Sequence, residues 1–270
     1  MKKLRSLVLL TALAAASVTA SADTVVRVGV TPGVNGDILL ALSEEIAERD
    51  IDLRVIEFTD WTLPNEAVNN GDLDLNFFQH KAFLDNVIEQ RGYELTMIGL
   101  GVLQNIGIFS NTIATLDDIP DGARVAVASD PVNQGLGLRL LQSAGLIELS
   151  DNEAIGASLD DVVSNPHNLR FYEIDGPQIV RSLDDVDLAV SWPSHFIQAG
   201  RPEQAGQALF YSGIDDNYYA TGLVAHQSRA DDPLLLDIVH HFQTSPAVRE
   251  TIDASYGGNK DLYTLPWLEQ

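Results

Sequence analysis

The 270-residue chain contains no cysteine. Disulfide bonds, thiolate metal sites and cysteine nucleophiles are therefore excluded. The absence also leaves no cysteine for a lipid anchor at the end of an export signal, so we expect a soluble, unanchored chain.

Basic residues are scarce, with 16 Lys and Arg against 39 Asp and Glu, a net charge of -23. Nucleic acid and anionic membrane surfaces repel such a charge, so we expect neither as a partner. The acidic residues are scattered in ones and twos, and scattered acids keep a surface hydrated in strong salt. A salt-loving source is therefore a further hypothesis.

Long apolar runs are scarce too, and the run from Leu7 to Ala16 is too short to span a bilayer. Basic residues precede this run, and Ala20-Ser21-Ala22 follows it as an A-x-A cleavage sequence. We predict a signal peptide over residues 1–22 and a periplasmic or otherwise exported mature chain. Losing Lys2, Lys3 and Arg5 leaves 13 basic against 39 acidic residues, a net charge of -26. No later apolar run has spanning length, so the mature chain is not expected to cross a membrane.

Strand and helix patterns alternate along the mature chain. Residues 24–30 are a β-branched run, residues 37–49 have helical apolar spacing, and residues 53–58 are a second strand. This order predicts a right-handed parallel crossover. Similar units recur, so we predict an α/β fold of two lobes. Residues 23–105 with 222–270 form the first lobe and 106–221 the second, with hinges near Asn105 and 217–223.

The stretch from Phe58 to His80 carries the strongest functional pattern. It contains a helical segment over 64–70, a turn at Gly71-Asp72 and a strand over 73–78 that ends in FFQH. Ligands of open α/β sheets bind at such strand ends. The predicted wall of a binding site is Trp61, Phe77, Phe78, Gln79 and His80. The alternative is that Phe77 and Phe78 are core residues and that Gln79 and His80 only begin the next helix.

The second lobe offers a matching wall. The strand over 124–128 leads to a helix predicted from about Gln134, and the strand over 186–190 leads to Ser191-Trp192-Pro193-Ser194-His195. Its candidate ligand-binding residues, with two near the second hinge, are Asn133, Leu136, Trp192, His195, Tyr219 and Thr221. Packing within the lobe is the alternative for Trp192, and helix capping is the alternative for Asn133 and His80.

Catalytic and metal-binding patterns are missing from the sequence. No G-x-S-x-G, H-E-x-x-H or G-K-[ST] motif occurs, and the six histidines have no spacing typical of metal ligands. We therefore predict no cofactor, no metal and no enzymatic activity. An enzyme remains an alternative only because any two of the many acidic residues could converge in a cleft.

Three long blocks of the sequence resemble a known family. LPNEAVNNGDLDLNFFQH, LDDIPDGARVAVASDPVNQGLGLRLLQSAGLIEL and DVVSNPHNLRFYEIDGPQIVRSLDDVDLAV are similar to NlpA-type lipoproteins, the methionine-binding components of ABC importers. The resemblance implies a two-lobed periplasmic binding protein fold, type II-like, whose lobes close on a small ligand. It also implies a monomer that delivers this ligand to an ABC permease and ATPase complex.

The resemblance also shows where this chain departs from the family. The family's aromatic wall corresponds to Trp61, Phe78 and His80, but the arginine that holds the substrate carboxylate corresponds to Leu136. Two family asparagines correspond to Trp192 or a neighbour and to Thr221, and Gln104 and Phe109 replace tyrosines. Groups that could supply the missing charge are Arg27, Arg139, Arg181, His80 and His195.

A buried carboxylate without a cation is costly, so we predict a family scaffold with altered specificity. One alternative is a conventional binding protein for L-methionine or a related amino acid. An enzyme using the same cleft and a surface-interaction protein with a vestigial cleft are further alternatives.

Overall fold

A computed structural model describes residues 24–150, 156–213 and 215–268 of the chain. The predicted signal peptide over 1–22 lies outside the described residues. Within the described ranges, no helix has both the length and the apolar character needed to cross a membrane.

Strands and helices alternate as the sequence predicts. In chain order, the strands of the described residues are β1 Thr24–Val30, β2 Ile51–Glu57, β3 Leu75–His80, β4 Leu95–Leu100, β5 Leu103–Gln104, β6 Gly107–Phe109, β7 Arg124–Ala128, β8 Glu148–Leu149, β9 Val162–Ser164, β10 Arg170–Ile174, β11 Leu188–Ser191, β12 Phe210–Tyr211, β13 Thr221–His226 and β14 Tyr263–Thr264. The α-helices are α1 Val34–Ile46, α2 Leu63–Asn69, α3 Lys81–Arg91, α4 Pro131–Ser143, α5 Ile179–Ser182, α6 Pro193–Gln198, α7 Pro233–Thr244 and α8 Pro246–Ser255.

The first lobe is built on a five-stranded sheet in the order β2-β1-β3-β13-β4. Strand β1 pairs in parallel with both β2 and β3, which is the predicted crossover, while β13 runs antiparallel between β3 and β4. Helix α1 buries Ile38, Leu39, Leu42 and Ile46 against this sheet, so its apolar stripe follows the helical period. The sheet places the carboxyl ends of β1, β2 and β3 at one edge.

The second lobe has a five-stranded sheet in the order β10-β7-β11-β6-β12. Its central strands β7 and β11 are parallel and consist almost entirely of buried residues, as expected for strands that are covered on both faces. The predicted α/β fold of two lobes, each a sheet with helices, is confirmed.

The chain passes between the lobes at two places. One connection runs through β5, which pairs with β14 near the C-terminus, and leads into β6 of the second sheet. The other leads from β12 back to β13. Thr221, predicted to be the last residue of the second lobe, already pairs with His80 as the first residue of β13 in the first sheet.

Strand β3 differs from its predicted course. The strand continues to His80 rather than ending at Phe78, and all six of its residues are buried. Its pairing with β13 steps from Phe77–Leu223 to His80–Thr221, so two residues of β3 lie opposite the single residue Gly222. This is a β-bulge, which interrupts the alternation of side chains and re-aims those that follow.

Helix α4 begins at Pro131, three residues before its predicted start. Proline suits the first helical position because its missing N–H has no partner there in any case. The side chain of Asp130 caps the helix by accepting a hydrogen bond from the backbone N–H of Asn133 at 2.9 Å. Asn133 is therefore fixed in the first turn of the helix, at the end that faces the other lobe.

Candidate ligand-binding site

An aromatic cavity lies between the two lobes. Counted together with its opening to solvent, the space between the lobes is about 820 Å³. The first lobe contributes Phe58, Trp61, Phe78 and Phe83 to its lining, and the second contributes Trp192. A molecule in this cavity would touch both lobes at once.

Nine of the eleven predicted ligand-binding residues line this cavity. They are Trp61, Phe78, Gln79, His80, Asn133, Trp192, His195, Tyr219 and Thr221. The structure therefore brings together residues from the loop before α2, from β3, from α4, from the start of α6 and from the connection that enters β13.

Phe77 and Leu136 do not line the cavity, which corrects their predicted placement. Phe77 is completely buried in the core of the first lobe, with its ring 5.1 Å from that of Phe242, because adjacent strand residues point to opposite faces. Leu136 is partly buried and packs against the core of the second lobe. Of the two family tyrosine positions, Gln104 lines the cavity, whereas Phe109 is buried against Phe196.

Trp61 reaches across from the first lobe to the second. A Cβ atom added to Gly176 would lie only 2.0 Å from Cη2 of the Trp61 indole. The indole also lies 5.9 Å from the imidazole of His195, measured between ring centroids. Gly176 follows β10, so this contact joins the ends of two strands that belong to different sheets. Only glycine leaves room for the indole there.

A hydrogen-bonded chain also crosses between the lobes. The Nδ1 atom of His80 accepts the backbone N–H of Phe83, at 3.1 Å, which leaves the proton of the neutral ring on Nε2. Nε2 then donates to Oδ1 of Asn133, at 2.9 Å, and the amide nitrogen of Asn133 donates to Asp130. His80 is both a helix cap and a cavity residue, so the two roles considered for it are compatible.

Gln79 is held by a cluster of buried amides. Its side chain exchanges hydrogen bonds with Asn65 of α2 and donates to Oδ1 of Asn76 at 3.0 Å. Asn76 also donates to Asn65, at 2.9 Å. Strict alternation along β3 would leave Gln79 on the same face as Phe77, so the bulge is what turns its side chain towards the amide cluster and the cavity.

Burial keeps both cavity histidines neutral at pH 7. It lowers the pKa of His80 to about 4, although the hydrogen bond to Asn133 acts in the opposite direction. Burial likewise lowers the pKa of His195 to about 4. Among the described residues that line the cavity, none is Asp, Glu, Lys or Arg. The lining therefore contains no ionised side chain near neutral pH.

The three arginines considered as replacement anchors lie outside the lining. Arg27 is paired with Asp74, and Arg181 donates to Gln178. Arg139 donates to the hydroxyl of Tyr219 at 2.6 Å, so it supports a cavity residue from behind. A ligand carboxylate in the cavity would meet neutral donors rather than a guanidinium.

We predict that His80 makes the protein less stable in acid. The pKa of His80 is about 6.5 in the unfolded chain and about 4 in the folded protein. Above pH 6.5 the ring is neutral in both states, so it does not reduce the free energy of unfolding there. As the pH falls to about 4.5, the unfolded state gains the proton first, and about 2–3 kcal/mol should be lost. Urea unfolding at pH 7.5 and 4.5 should show a smaller loss for His80→Gln. An identical loss in both proteins would contradict the assignment.

Sequence reasoning missed Phe58, Phe83 and the turn at Gly176-Pro177. Phe83 lies in the first turn of α3, among apolar residues at helical spacing, and such spacing is typical of core residues. The Asp175-Gly176-Pro177 sequence after a strand is a turn signal, and it was the available clue to another strand end at the cavity.

Comparison with known proteins gives a consistent match. The family model described as NlpA lipoprotein matches residues 26–262. The D-methionine-binding lipoprotein MetQ of Escherichia coli (strain K12) is 40% identical over 239 residues, which cover 86% of each chain. The probable D-methionine-binding lipoprotein MetQ of Pasteurella multocida is 35% identical and covers 86% of this chain and 83% of its own.

Solved structures agree with these sequence matches. A nutrient-binding protein from Burkholderia cenocepacia bound to methionine superposes with a TM-score of 0.81 at 32% identity, over 86% of this chain and 97% of that one. The methionine-binding protein MetQ gives a TM-score of 0.81 at 34% identity, over 87% and 96% of the two chains.

Proposed function

The chain belongs to the NlpA lipoprotein family, and we propose that it is the solute-binding component of an ABC importer with altered ligand specificity. The observation that carries this proposal is an aromatic cavity between two lobes whose described lining has no ionised side chain. The relatives are named as methionine-binding proteins, which supports capture of a small ligand for transport.

The proposed mechanism is closure of the two lobes around the ligand. Trp61, Phe78 and His80 meet Asn133 and Trp192 across the cavity, so a ligand there gains contacts that separated lobes cannot provide. A ligand shifts a conformational equilibrium only through such differential contacts. The closed form would then be the one that the membrane permease recognises.

Altered specificity follows from the charge of the lining. A zwitterionic amino acid brings a carboxylate and an ammonium group, and burial of either without an ionic partner is costly. The resemblance assigns the family's carboxylate-binding arginine to the position of Leu136. Leu136 follows Asn133 by one helical turn, so both lie on the same side of α4.

Conventional methionine binding is the second candidate function. Its support is a relative at 40% identity that is named a D-methionine-binding lipoprotein and a structural neighbour that is bound to methionine. The two candidates differ in whether the free amino acid binds better than an uncharged analogue.

We expect L-methionine to bind wild-type protein at least about tenfold more weakly than N-acetyl-L-methioninamide, which carries neither charge. Leu136 itself does not line the cavity, but it lies about one helical turn after Asn133 on α4, and we expect the longer arginine side chain to reach the cavity from there. The variant Leu136→Arg should therefore gain about tenfold or more in affinity for L-methionine, because a charge-assisted hydrogen bond contributes about 1.5–3 kcal/mol. Leu136→Met is the uncharged control and should gain nothing. Titration calorimetry with both compounds measures these affinities.

Two results of that titration would contradict the proposal. Tighter binding of L-methionine or D-methionine by the wild-type protein would establish the second candidate. An equal gain of Leu136→Arg and Leu136→Met for L-methionine would show that the position does not face the ligand carboxylate. Thermal unfolding of each variant should accompany the titrations, because Leu136 also packs against the second-lobe core.

The proposal includes export without a lipid anchor. The relatives are named lipoproteins, whereas this sequence contains no cysteine to which such a lipid could be attached. The intact mass of the exported protein tests this point. A chain that begins at Asp23 without added lipid supports it, and a larger lipid-bearing mass contradicts it.

A further inference from the structure

Most polar side chains of the cavity already have partners within the protein. Both amide hydrogens of Gln79 go to the oxygens of Asn65 and Asn76, and its own oxygen accepts from Asn65. The Thr221 hydroxyl donates to the carbonyl oxygen of Val102 at 2.9 Å. These groups hold the walls of the cavity in place and have little hydrogen-bonding capacity left for a ligand.

Gln104 differs because only its oxygen is engaged. Oε1 accepts the backbone N–H of Ser194 at 3.1 Å. A backbone N–H can only donate, so this bond determines which end of the amide is the oxygen. The Nε2 group has two hydrogens without a partner among the described residues, and Gln104 lines the cavity. It is therefore a free donor.

The aromatic lining adds further donors. The indole N–H groups of Trp61 and Trp192 have no hydrogen-bond partner within the described part of the chain. Neither nitrogen is among the described fully buried atoms that lack a partner, so both can be reached from outside the protein matrix. An indole nitrogen donates and cannot accept.

His195 supplies a further N–H donor through its Nε2 atom. The Ser191 hydroxyl is completely buried and lies 3.1 Å from Nδ1 of His195, with no other partner in the described structure. If Ser191 donates to Nδ1, its buried proton is satisfied, whereas the opposite arrangement leaves that proton unpaired at a cost. The neutral ring then carries its hydrogen on Nε2, the nitrogen away from Ser191.

The side-chain acceptors that a ligand ammonium group would meet are all neutral. Within the described lining there is no carboxylate, and the acceptors include the hydroxyls of Thr31, Thr59 and Ser194 together with amide oxygens, of which Oε1 of Gln79 and Oδ1 of Asn133 each already accept one hydrogen bond. The amide oxygens that still lack partners belong to Asn35 and to Gln198, which is exposed. An ammonium group brings a full charge and three donors, and these neutral oxygens cannot compensate its desolvation.

We infer that the cavity takes an uncharged ligand whose polar end is a hydrogen-bond acceptor, such as a carbonyl oxygen, with Gln104 as its principal donor. This inference rests on the proposed function and names the class of ligand for the same site. The apolar part of the ligand packs among Phe78, Trp61 and Trp192.

The variant Gln104→Glu tests this directly. Glutamate keeps an oxygen for the N–H of Ser194 but replaces the free donor with a charged acceptor. In the wild type, N-acetyl-L-methioninamide should bind at least about tenfold more tightly than L-methioninamide, which carries only the ammonium charge. In Gln104→Glu, we expect L-methioninamide to gain about tenfold and N-acetyl-L-methioninamide to lose about tenfold.

Gln104→Met is the matched control, because it removes the donor without adding charge. It should weaken N-acetyl-L-methioninamide and leave L-methioninamide unchanged, and thermal unfolding verifies that each variant is folded. Equal binding of the two compounds by the wild type, or an unchanged preference in Gln104→Glu, would overturn this inference and leave the proposed function intact. Failure of every compound, L-methionine included, to bind would overturn both.

Discussion

Replacing Gly176 with alanine should weaken ligand binding by about 10–100-fold while leaving the free protein almost as stable as the wild type. The new methyl group would lie 2.0 Å from Cη2 and 2.3 Å from Cζ3 of Trp61, distances that no packed structure tolerates. The indole must therefore move, and the lobes cannot reach their closed contact. Gly176 does not have a positive φ, so alanine itself fits its backbone.

Two further variants make this result specific. Gly156→Ala is the control, because no described atom lies within 4 Å of its added Cβ and its φ is not positive. Combining Gly176→Ala with Trp61→Phe should recover part of the lost affinity, since the smaller ring frees space at the contact. Titration with N-acetyl-L-methioninamide measures the affinity of each protein. Wild-type affinity in Gly176→Ala would show that the lobes close without this contact.

Phe77→Ala and Phe78→Ala should have opposite signatures although the residues are adjacent. Phe77 is completely buried against Phe242, so its truncation leaves a cavity and should lower the free energy of unfolding by about 3–5 kcal/mol. Phe78 is 9% exposed and lines the space between the lobes. Its truncation should cost less stability but reduce ligand affinity by about tenfold or more.

Chemical denaturation and calorimetry on the same two variants test this contrast. Phe77→Ala should keep most of its affinity under conditions in which it remains folded. Equal losses of affinity in both variants would contradict the assignment of Phe77 to the core and Phe78 to the cavity. The contrast also tests the bulge in β3, because the bulge lies between Phe77 and His80 and re-aims the side chains after Phe77.

Elements whose pattern is local were predictable from the sequence. The β-branched run of β1 indicates a buried strand, and the apolar spacing of α1 indicates which side of the helix packs against the sheet. The crossover in the first lobe could therefore be inferred from the sequence. The end of β3 could not, because its bulge depends on pairing with β13, more than 140 residues later in the chain.

The candidate site was predictable in composition but not in geometry. Aromatic and amide residues at strand ends indicated Trp61, His80 and Trp192, and all three line the cavity. The contact between Trp61 and Gly176 depends on how the two lobes face each other, which no local pattern reveals. Alternation along FFQH places Phe77 and Phe78 on opposite faces of the strand, but it does not say which face is the core. That depends on the strands and helices that pack around β3.

The described cavity lining is uncharged, although the chain as a whole is strongly acidic. A chain with 39 acidic and 16 basic residues has an interlobe cavity whose described lining includes none of them. Neutral histidines, indoles and amides remain, and they contact both lobes through His80–Asn133 and Trp61–Gly176. A ligand in the cavity must therefore be bound by contacts with aromatic rings and by hydrogen bonds to neutral groups.

Native mass spectrometry of the exported protein, purified without denaturation from cells that make it, tests this account most directly. We expect a single small, uncharged compound to accompany the wild-type protein and to be absent from Gly176→Ala. Recovery of methionine as the bound compound would contradict the proposed specificity, and equal retention by both proteins would contradict closure through Trp61 and Gly176.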